Sequence, residues 1–325
     1  MRVLRWAGYG TLAATMLIAL GGASSAQTVC PESVIRIVVP FPPGGPTDVS
    51  ARVLAEKLKD RLGQNVIVES RAGAAGATGT GYVAQQPGNG CIMLLAYDTH
   101  AVNPSLLKLT FDTATAFKPV MLIGTIPNMI AVHPSQPWKS FAEMVAAAKK
   151  DNESIAYATG GSGTVAHMSM KLIEQAYGVK LRQVPYKGGA PAAADLIAGH
   201  VPMMIGSVTA LGAFVRDGKA RALVQFGAAR HPLLPDTPTL AELGQKGFTS
   251  EAWIGIFVPA STPDGAVTRI NTELKAVLQD PWVRERMAAI GVQLTVSSPE
   301  QLGSFVKSEM ARWGEVVRTH EIKPE

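Results

Sequence analysis

Residues 34–62 read VIRIVVPFPPGGPTDVSARVLAEKLKDRL, and this stretch decides the fold class. Val34 to Val39 is a short β-branched run, which predicts a strand. Pro42-Pro43-Gly44-Gly45 breaks it. From Thr47 to Leu62 the apolar residues Val49, Val53, Leu54 and Leu58 recur at helical spacing, and Gly63 supplies a helix stop. The pattern then repeats. Val66 to Glu69 predicts a strand, the small-residue loop Gly73 to Gly79 leads into a short helix through Tyr82 and Val83, and Ile92 to Tyr97 predicts the next strand. A βαβαβ order implies a doubly wound α/β layer, a parallel sheet with helices on both faces.

A second series follows Pro127. Strands are expected at Met129–His133, Ile155–Thr159, Leu181–Val184, Met203–Ser207 and Ala222–Phe226. Helices are expected from Ser140 to Lys150, with Glu143 completing a capping box, and at Val165–Tyr177, Ala190–Ala198 and Leu211–Arg216. His231 to Thr239 is rich in proline and reads as a fixed irregular loop. The last part is helical at Thr268–Gln279, Trp282–Ile290 and Glu300–Arg318, with Ser298 as a cap. The units Val34–Leu62 and Ile155–Tyr177, each a strand, a glycine loop and a helix, are two versions of one device.

The chain has 325 residues, 47% apolar and 17% charged, enough for two packed domains. Its start reads as an export signal: Arg2 and Arg5, an apolar core from Thr11 to Leu20, and Ser24-Ser25-Ala26 before a cleavage at Gln27. That core is about half the length of a membrane-spanning helix. Val201 to Val215 is interrupted by Pro202, Gly206 and Gly212. Cleavage would remove Arg2 and Arg5 and no acid, taking 30 basic residues to 28 against 25 acidic. A near-neutral chain with no basic run argues against a nucleic-acid surface. Cys30 precedes the first strand and Cys91 opens a later one. If those strands are neighbours in a parallel sheet, their starts lie at one end and the sulfurs can bond in an oxidising compartment. The alternative is a pair of small buried thiols.

Both glycine loops join the carboxyl end of a strand to the amino end of a helix, where ligands bind in open parallel sheets. The first helical amides lack partners and sit at the positive end of the peptide dipoles, so a carboxylate or phosphate is the natural guest. In the first loop the candidates are Gly44, Gly45, Thr47 and Asp48, with Asp48 bracing the loop rather than touching an anion. In the second they are Gly160, Ser162, Gly163 and Thr164. Catalysis has weaker support. Gly160-Gly161-Ser162-Gly163-Thr164 departs from the G-x-S-x-G nucleophile elbow at Thr164. Gly76 to Gly81 misses the dinucleotide spacing, and the six histidines show no metal-ligand spacing. No cofactor, metal or catalytic residue is expected.

Taken together, these residues resemble the substrate-binding proteins of tripartite tricarboxylate transporters, the Bug family, over nearly the whole exported chain. The marks are Pro40 to Asp48, Arg71 to Gly76, Tyr157 to Gly163, Val184 to Gly189, Leu234 to Thr239 and Trp253-Ile254-Gly255. The resemblance implies a periplasmic-binding-protein-like (Venus flytrap) architecture, two α/β domains on a hinge, with crossings near Pro127 and Trp253. One domain would hold 27–127 and 251–325, the other 128–250. It implies a small organic carboxylate held by backbone amides and water, a periplasmic location, and membrane transporter subunits driven by an ion gradient. Phe41 looks like the family's aromatic cover over the ligand. Thr78, Thr99, Tyr186 and Ser207 complete the candidate set, and a monomer is expected. Val201 to Ser207 lacks the acidic residues the family commonly carries there, which favours a plain mono- or dicarboxylate, aliphatic or aromatic, over an amino acid. Two other readings compete: a ligand sensor for a signalling protein, and a carboxylate or ester hydrolase working through Ser162.

Overall fold

The computed structural model describes residues 29–323 apart from 152 and 247, so the leader reading over 1–26 lies outside the described residues. In chain order the elements are β1 (Val34–Val39), α1 (Pro46–Leu62), β2 (Asn65–Ser70), α2 (Ala77–Ala84), β3 (Ile92–Tyr97), α3 (Thr99–Leu106) and β4 (Phe117–Val132). There follow α4 (Phe141–Lys150), β5 (Ala156–Thr159), α5 (Val165–Tyr177), β6 (Arg182–Pro185), α6 (Gly189–Ile197), β7 (Met203–Ser207), α7 (Val208–Arg216) and β8 (Arg221–Gln225). The chain ends with β9 (Glu251–Pro259), α8 (Asp264–Val277), α9 (Pro281–Ala289), β10 (Gln293–Leu294) and α10 (Pro299–Thr319).

The strands run in the order β2-β1-β3-β9-β4-β7-β5-β6. β1 lies parallel to β2 and β3, and β5 parallel to β6 and β7. These are two parallel βαβ layers of the expected kind. The strands between them are antiparallel: β9 to β3 and β4, and β4 to β7 and β8. β4 belongs to both layers. Its first part, to Pro127, pairs with β9, and from Asn128 on it pairs with β7.

Here the structure departs from the sequence reading. The expected strand began at Met129, whereas β4 begins at Phe117, and no strand was anticipated at β9. Pro119 and Pro127 argue against a central strand because they cannot donate to the ladder. β4 accommodates Pro119 at a register shift between Pro119 and Met121, and Pro127 falls where the strand passes from one layer to the other. β9 is buried along almost its whole length, so it shows no alternation of apolar and polar residues.

Local signals account for most other boundaries. Gly63 and Gly178 stop α1 and α5 in the left-handed conformation, with φ of 62° at each. Ser298 and Gln301 form a full capping box on α10. At α4 the box is half made. Ser140 accepts from the Glu143 amide, but the Glu143 carboxylate accepts from Lys139 N at 2.7 Å instead of from Ser140. The loop after β8 is organised by the buried Gln225, whose side chain donates to Leu234 O and Thr237 O and accepts from His231 N.

The core divides along the two faces of each layer. Met93 and Leu95 of β3 point into one cluster with α1 and α8, while Ile92, Leu94 and Ala96 point into another with Trp253 and Phe257. The second layer packs its own core around Ile130, Tyr157, Met203 and Ile205. Because β1 and β3 are neighbours, Cys30 and Cys91 meet and form a disulfide with Cα atoms 4.6 Å apart, closing a sequence separation of 61.

Candidate functional site

The site is built where strands end and helices begin. After β1 the chain turns at Gly44, whose φ of 87° suits glycine. Gly44 N donates to Asp48 Oδ2 at 3.0 Å, and Arg52 donates to both Asp48 oxygens at 3.0 Å. Burial pulls the Asp48 carboxyl upward, yet the bonds from Arg52 and Gly44 outweigh it and hold the group below its ordinary pKa. Asp48 is therefore a charged brace for the loop. Gly45 is the N-cap of α1 and no side chain caps that helix, so the Thr47 and Asp48 amides stand open at its positive end. Thr47 itself is buried.

Phe41 leans over the neighbouring turn. A Cβ on Gly76 would lie 3.1 Å from Phe41 Cζ. That turn carries Ala74 and Ala75 with φ of 45° and 50°, a conformation that costs energy for residues other than glycine. Asn103 of α3 steadies it, donating to Ala75 O at 3.0 Å. α2 starts from Gly76 without a side-chain cap, and Thr78 stands exposed on its first turn. The Phe41 ring meets Tyr97 edge-on, with centroids 5.7 Å apart. Tyr97 ends β3 and is half-buried, and Ser207 ends β7, where its side chain caps α7 by accepting from Ala210 N at 3.3 Å. Burial first, and the Asp98 carboxyl next to it, keep the Tyr97 pKa well above its ordinary value. Thr99 opens α3 and is buried.

The second glycine loop is organised differently. Thr164 caps α5, accepting from His167 N at 3.3 Å and donating to Gly161 O at 2.9 Å. Gly163 N donates to His167 Nδ1 at 3.3 Å, which places the imidazole proton on Nε2. Burial, reinforced by Lys171, lowers the His167 pKa to about 4, so the ring is neutral. Gln183 donates to Thr159 Oγ1 at 3.0 Å and to Ser162 Oγ at 3.2 Å. Tyr186 turns its hydroxyl to Asp195 Oδ2 at 2.6 Å, and this bond, before burial, raises the phenol to about 12.

The open amides of the second layer lie one loop further on, at a place the sequence reading did not assign. α6 begins at Gly189 after Gly188, with no side-chain cap. Gly188 N donates to Gly160 O at 3.0 Å, and a Cβ on Gly160 would come within 3.2 Å of Gly189 N. The signal was present in Val184 to Gly189, a stretch that matched the family pattern without being given a role. Leu106 was also missed. A Cβ on Gly163 would lie 2.5 Å from Leu106 Cδ1, so α3 of the first layer touches the loop of the second. The structure thus joins Gly76, Phe41 and Tyr97 in one chain of contacts, Gly163 with Leu106 in a second, and Gly160 with Gly188 and Gly189 in a third. Surface hollows around Lys118 and Lys307, and around Lys59 and Gln64, contain none of the candidate residues.

The family model described as "Tripartite tricarboxylate transporter family receptor" matches residues 50–322. The chain belongs to this family. Protein BugT of Bordetella pertussis is 34% identical to it over 291 residues, 89% of each chain. An R. palustris protein solved with adipate is 32% identical, with a TM-score of 0.85 over 91% of this chain and 99% of that one. MatC of Rhodopseudomonas palustris, solved with bound malate, is 30% identical, with a TM-score of 0.81 over 88% and 99%. The receptor accordingly has the two-domain α/β fold of periplasmic binding proteins. Among the described residues, no helix is long and apolar enough to cross a membrane, and no group of three or more His, Cys, Asp or Glu is placed to hold a metal ion.

Proposed function

We propose that this receptor is exported, with residues 1–26 removed, captures a small organic carboxylate in the periplasm, and presents it to membrane subunits of an ion-gradient-driven transporter. The observation that carries the reading is a set of helix N-termini without side-chain caps, at Gly45, Gly76 and Gly188, placed at the carboxyl ends of strands in both layers. Open amides at a positive helix end suit a carboxylate, and a hydrogen bond to a charged group contributes about 1.5–3 kcal/mol. Several of them offset the effective cost of several kcal/mol for burying one such ion. Relatives solved with adipate and malate support a carboxylate as the ligand class. Phe41, Gly44, Gly45, Thr47, Thr78 and Thr99 on one side, and Gly160, Ser162, Gly163, Thr164, Tyr186 and Ser207 on the other, are the residues we assign around it. Asp48, Gly163 and His167 act through loop geometry.

The two domains we assign are 27–127 with 251–325, and 128–250, joined where β4 and β9 cross. Ligand shifts the population toward the closed form because only there do both sets of amides reach it. A thermal-shift panel of carboxylates tests the reading. A ligand at 100 times its Kd stabilises the protein by about 2.7 kcal/mol. If no carboxylate in a broad panel shifts the melting temperature, the reading is wrong. No turnover is expected: Ser162→Ala should weaken binding without abolishing any hydrolysis.

A further inference from the structure

The two glycines that open α6 leave its first turn with little of its own to fix it. Gly188 has φ of 110°, and no side chain caps the helix. A Gly-Gly pair has a permissive backbone, so its direction must be set by neighbours. Gly188 N is committed to Gly160 O at 3.0 Å and Tyr186 O at 2.9 Å, and Pro191 carries no amide hydrogen. Gly189 and Ala190 therefore supply the open donors of this helix end. Glycine keeps the space beside them clear: a Cβ on Gly160 would lie 3.2 Å from Gly189 N, and one on Gly161 would lie 3.3 Å from Tyr186 O.

Tyr186 holds this turn at both ends of its side chain. Its amide donates to Thr159 O at 3.0 Å, which anchors the residue to the end of β5. Its hydroxyl reaches past the glycines to the last turn of α6, where it donates to Asp195 Oδ2 at 2.6 Å. Asp195 is fixed in its turn. Its carbonyl accepts from His200 N at 2.9 Å, and its Oδ1 stands 3.2 Å from His200 Nδ1. The bond ties residue 186, ahead of the open amides, to residue 195, behind them. A phenol has one hydrogen to donate, and Asp195 takes it, so the Tyr186 side chain offers a carboxylate ligand no donor.

We propose that Asp195 is a positioning residue for ligand capture: through the Tyr186 hydroxyl it fixes the turn that presents the Gly189 and Ala190 amides to the ligand's carboxylate. The inference rests on the carboxylate-receptor reading above. It gives a task to a side chain that does not touch the guest. An amide contributes most when it is aimed beforehand, because ordering a loop on binding subtracts from the gain. The Asp195 side chain is 39% exposed, so losing its bond should cost the fold little and show in binding instead.

Isothermal titration of the full chain tests this, with whichever of adipate, malate, succinate and benzoate gives the unmodified receptor its largest melting shift. Asp195→Ala and Tyr186→Phe should each weaken binding roughly threefold to tenfold, on the scale of one hydrogen bond. The double variant should lose no more than the worse of the two, because both remove the same tether. Asp195→Asn keeps a carbonyl oxygen for the phenol and should restore most of the affinity that Asp195→Ala loses. Melting temperatures without ligand should scarcely move. If Asp195→Ala does not fold, Tyr186→Phe and Asp195→Asn decide the matter. Unchanged affinity in Asp195→Ala or Tyr186→Phe, losses that add in the double variant, no recovery in Asp195→Asn, or a melting temperature that falls in step with affinity would each overturn this inference while leaving the carboxylate reading intact. An unmodified receptor that binds none of the four probes, nor any carboxylate in the broader panel, removes both.

Discussion

Replacing Gly163 with alanine should separate two costs that fall on different states of the receptor. The first is local. Gly163 has φ of 81°, and an L-residue in the left-handed region costs about 1–2 kcal/mol. That cost exists whether the layers are together or apart, so it lowers the melting temperature. The second cost depends on the layers meeting. The new Cβ would stand 2.5 Å from Leu106 Cδ1, against an optimal carbon–carbon separation of about 3.5–4.0 Å. Relieving such overpacking costs about 1–3 kcal/mol. It bears only on the form in which α3 touches the second loop, and therefore weakens ligand binding, by roughly fivefold to 150-fold. Adding Leu106→Ala removes the clash and leaves the backbone strain. The double variant should then recover most of the lost affinity, measured by titration calorimetry, while its melting temperature stays low. A coupling energy of about 0.5–3 kcal/mol in affinity is expected from the cycle. If Gly163→Ala binds as tightly as the parent, or if Leu106→Ala restores nothing, the contact between α3 and the second loop has no part in closure.

Other outcomes follow from single observations. Reducing Cys30–Cys91 should destabilise the fold by about 4 kcal/mol, from the chain entropy of the loop it closes, read as a shift in the urea midpoint with and without reductant. Asp48→Ala should leave the fold intact but free the Gly44 turn, lowering carboxylate affinity by roughly tenfold, the scale of one charged hydrogen bond; unchanged affinity would remove the brace role. Asp98 is buried with Oδ1 unpartnered, and burial pushes its carboxyl up to about 8. An unfolded aspartate ionises near 4, so between about pH 4 and 8 the folded chain holds a proton that the unfolded chain has released, and stability falls as pH rises through that window. Asp98→Asn should therefore flatten the slope and add about 1–3 kcal/mol at pH 8, seen in denaturation at several pH values. His100 behaves in the opposite sense. Burial lowers its pKa to about 4, so its contribution is present above the unfolded value near 6.5 and is lost as pH falls toward 4.

What the sequence could reveal depended on the range of the interaction. Strand–loop–helix units, caps and stops are local, and Val34–Val39, Gly63, Ser298 and Gly178 announce their structure from a few neighbours. The bracing role of Asp48 was legible for the same reason, since its partners Gly44 and Arg52 lie within one helical turn. β4 and β9 were not legible as a pair, because proline and unbroken burial erase the period-two signal on which a strand is recognised. The site divides in the same way. Glycine loops mark where amides can converge, but which amides stay open is decided by side chains that arrive from elsewhere. Gly163 looked like an open donor until His167, one turn away, took its hydrogen. Gly188 and Gly189 carry no residue that announces a binding end, yet the absence of Ser, Thr, Asp or Asn at that N-cap is what leaves the α6 amides open. Tyr97 reads as the last residue of a buried strand. Its ring contact with Phe41, 56 positions before it, exists only once β1 and β3 lie side by side. Local motifs therefore mark where amides can converge, while contacts between distant residues decide what surrounds them. The family is consequently easier to read from the sequence than the ligand.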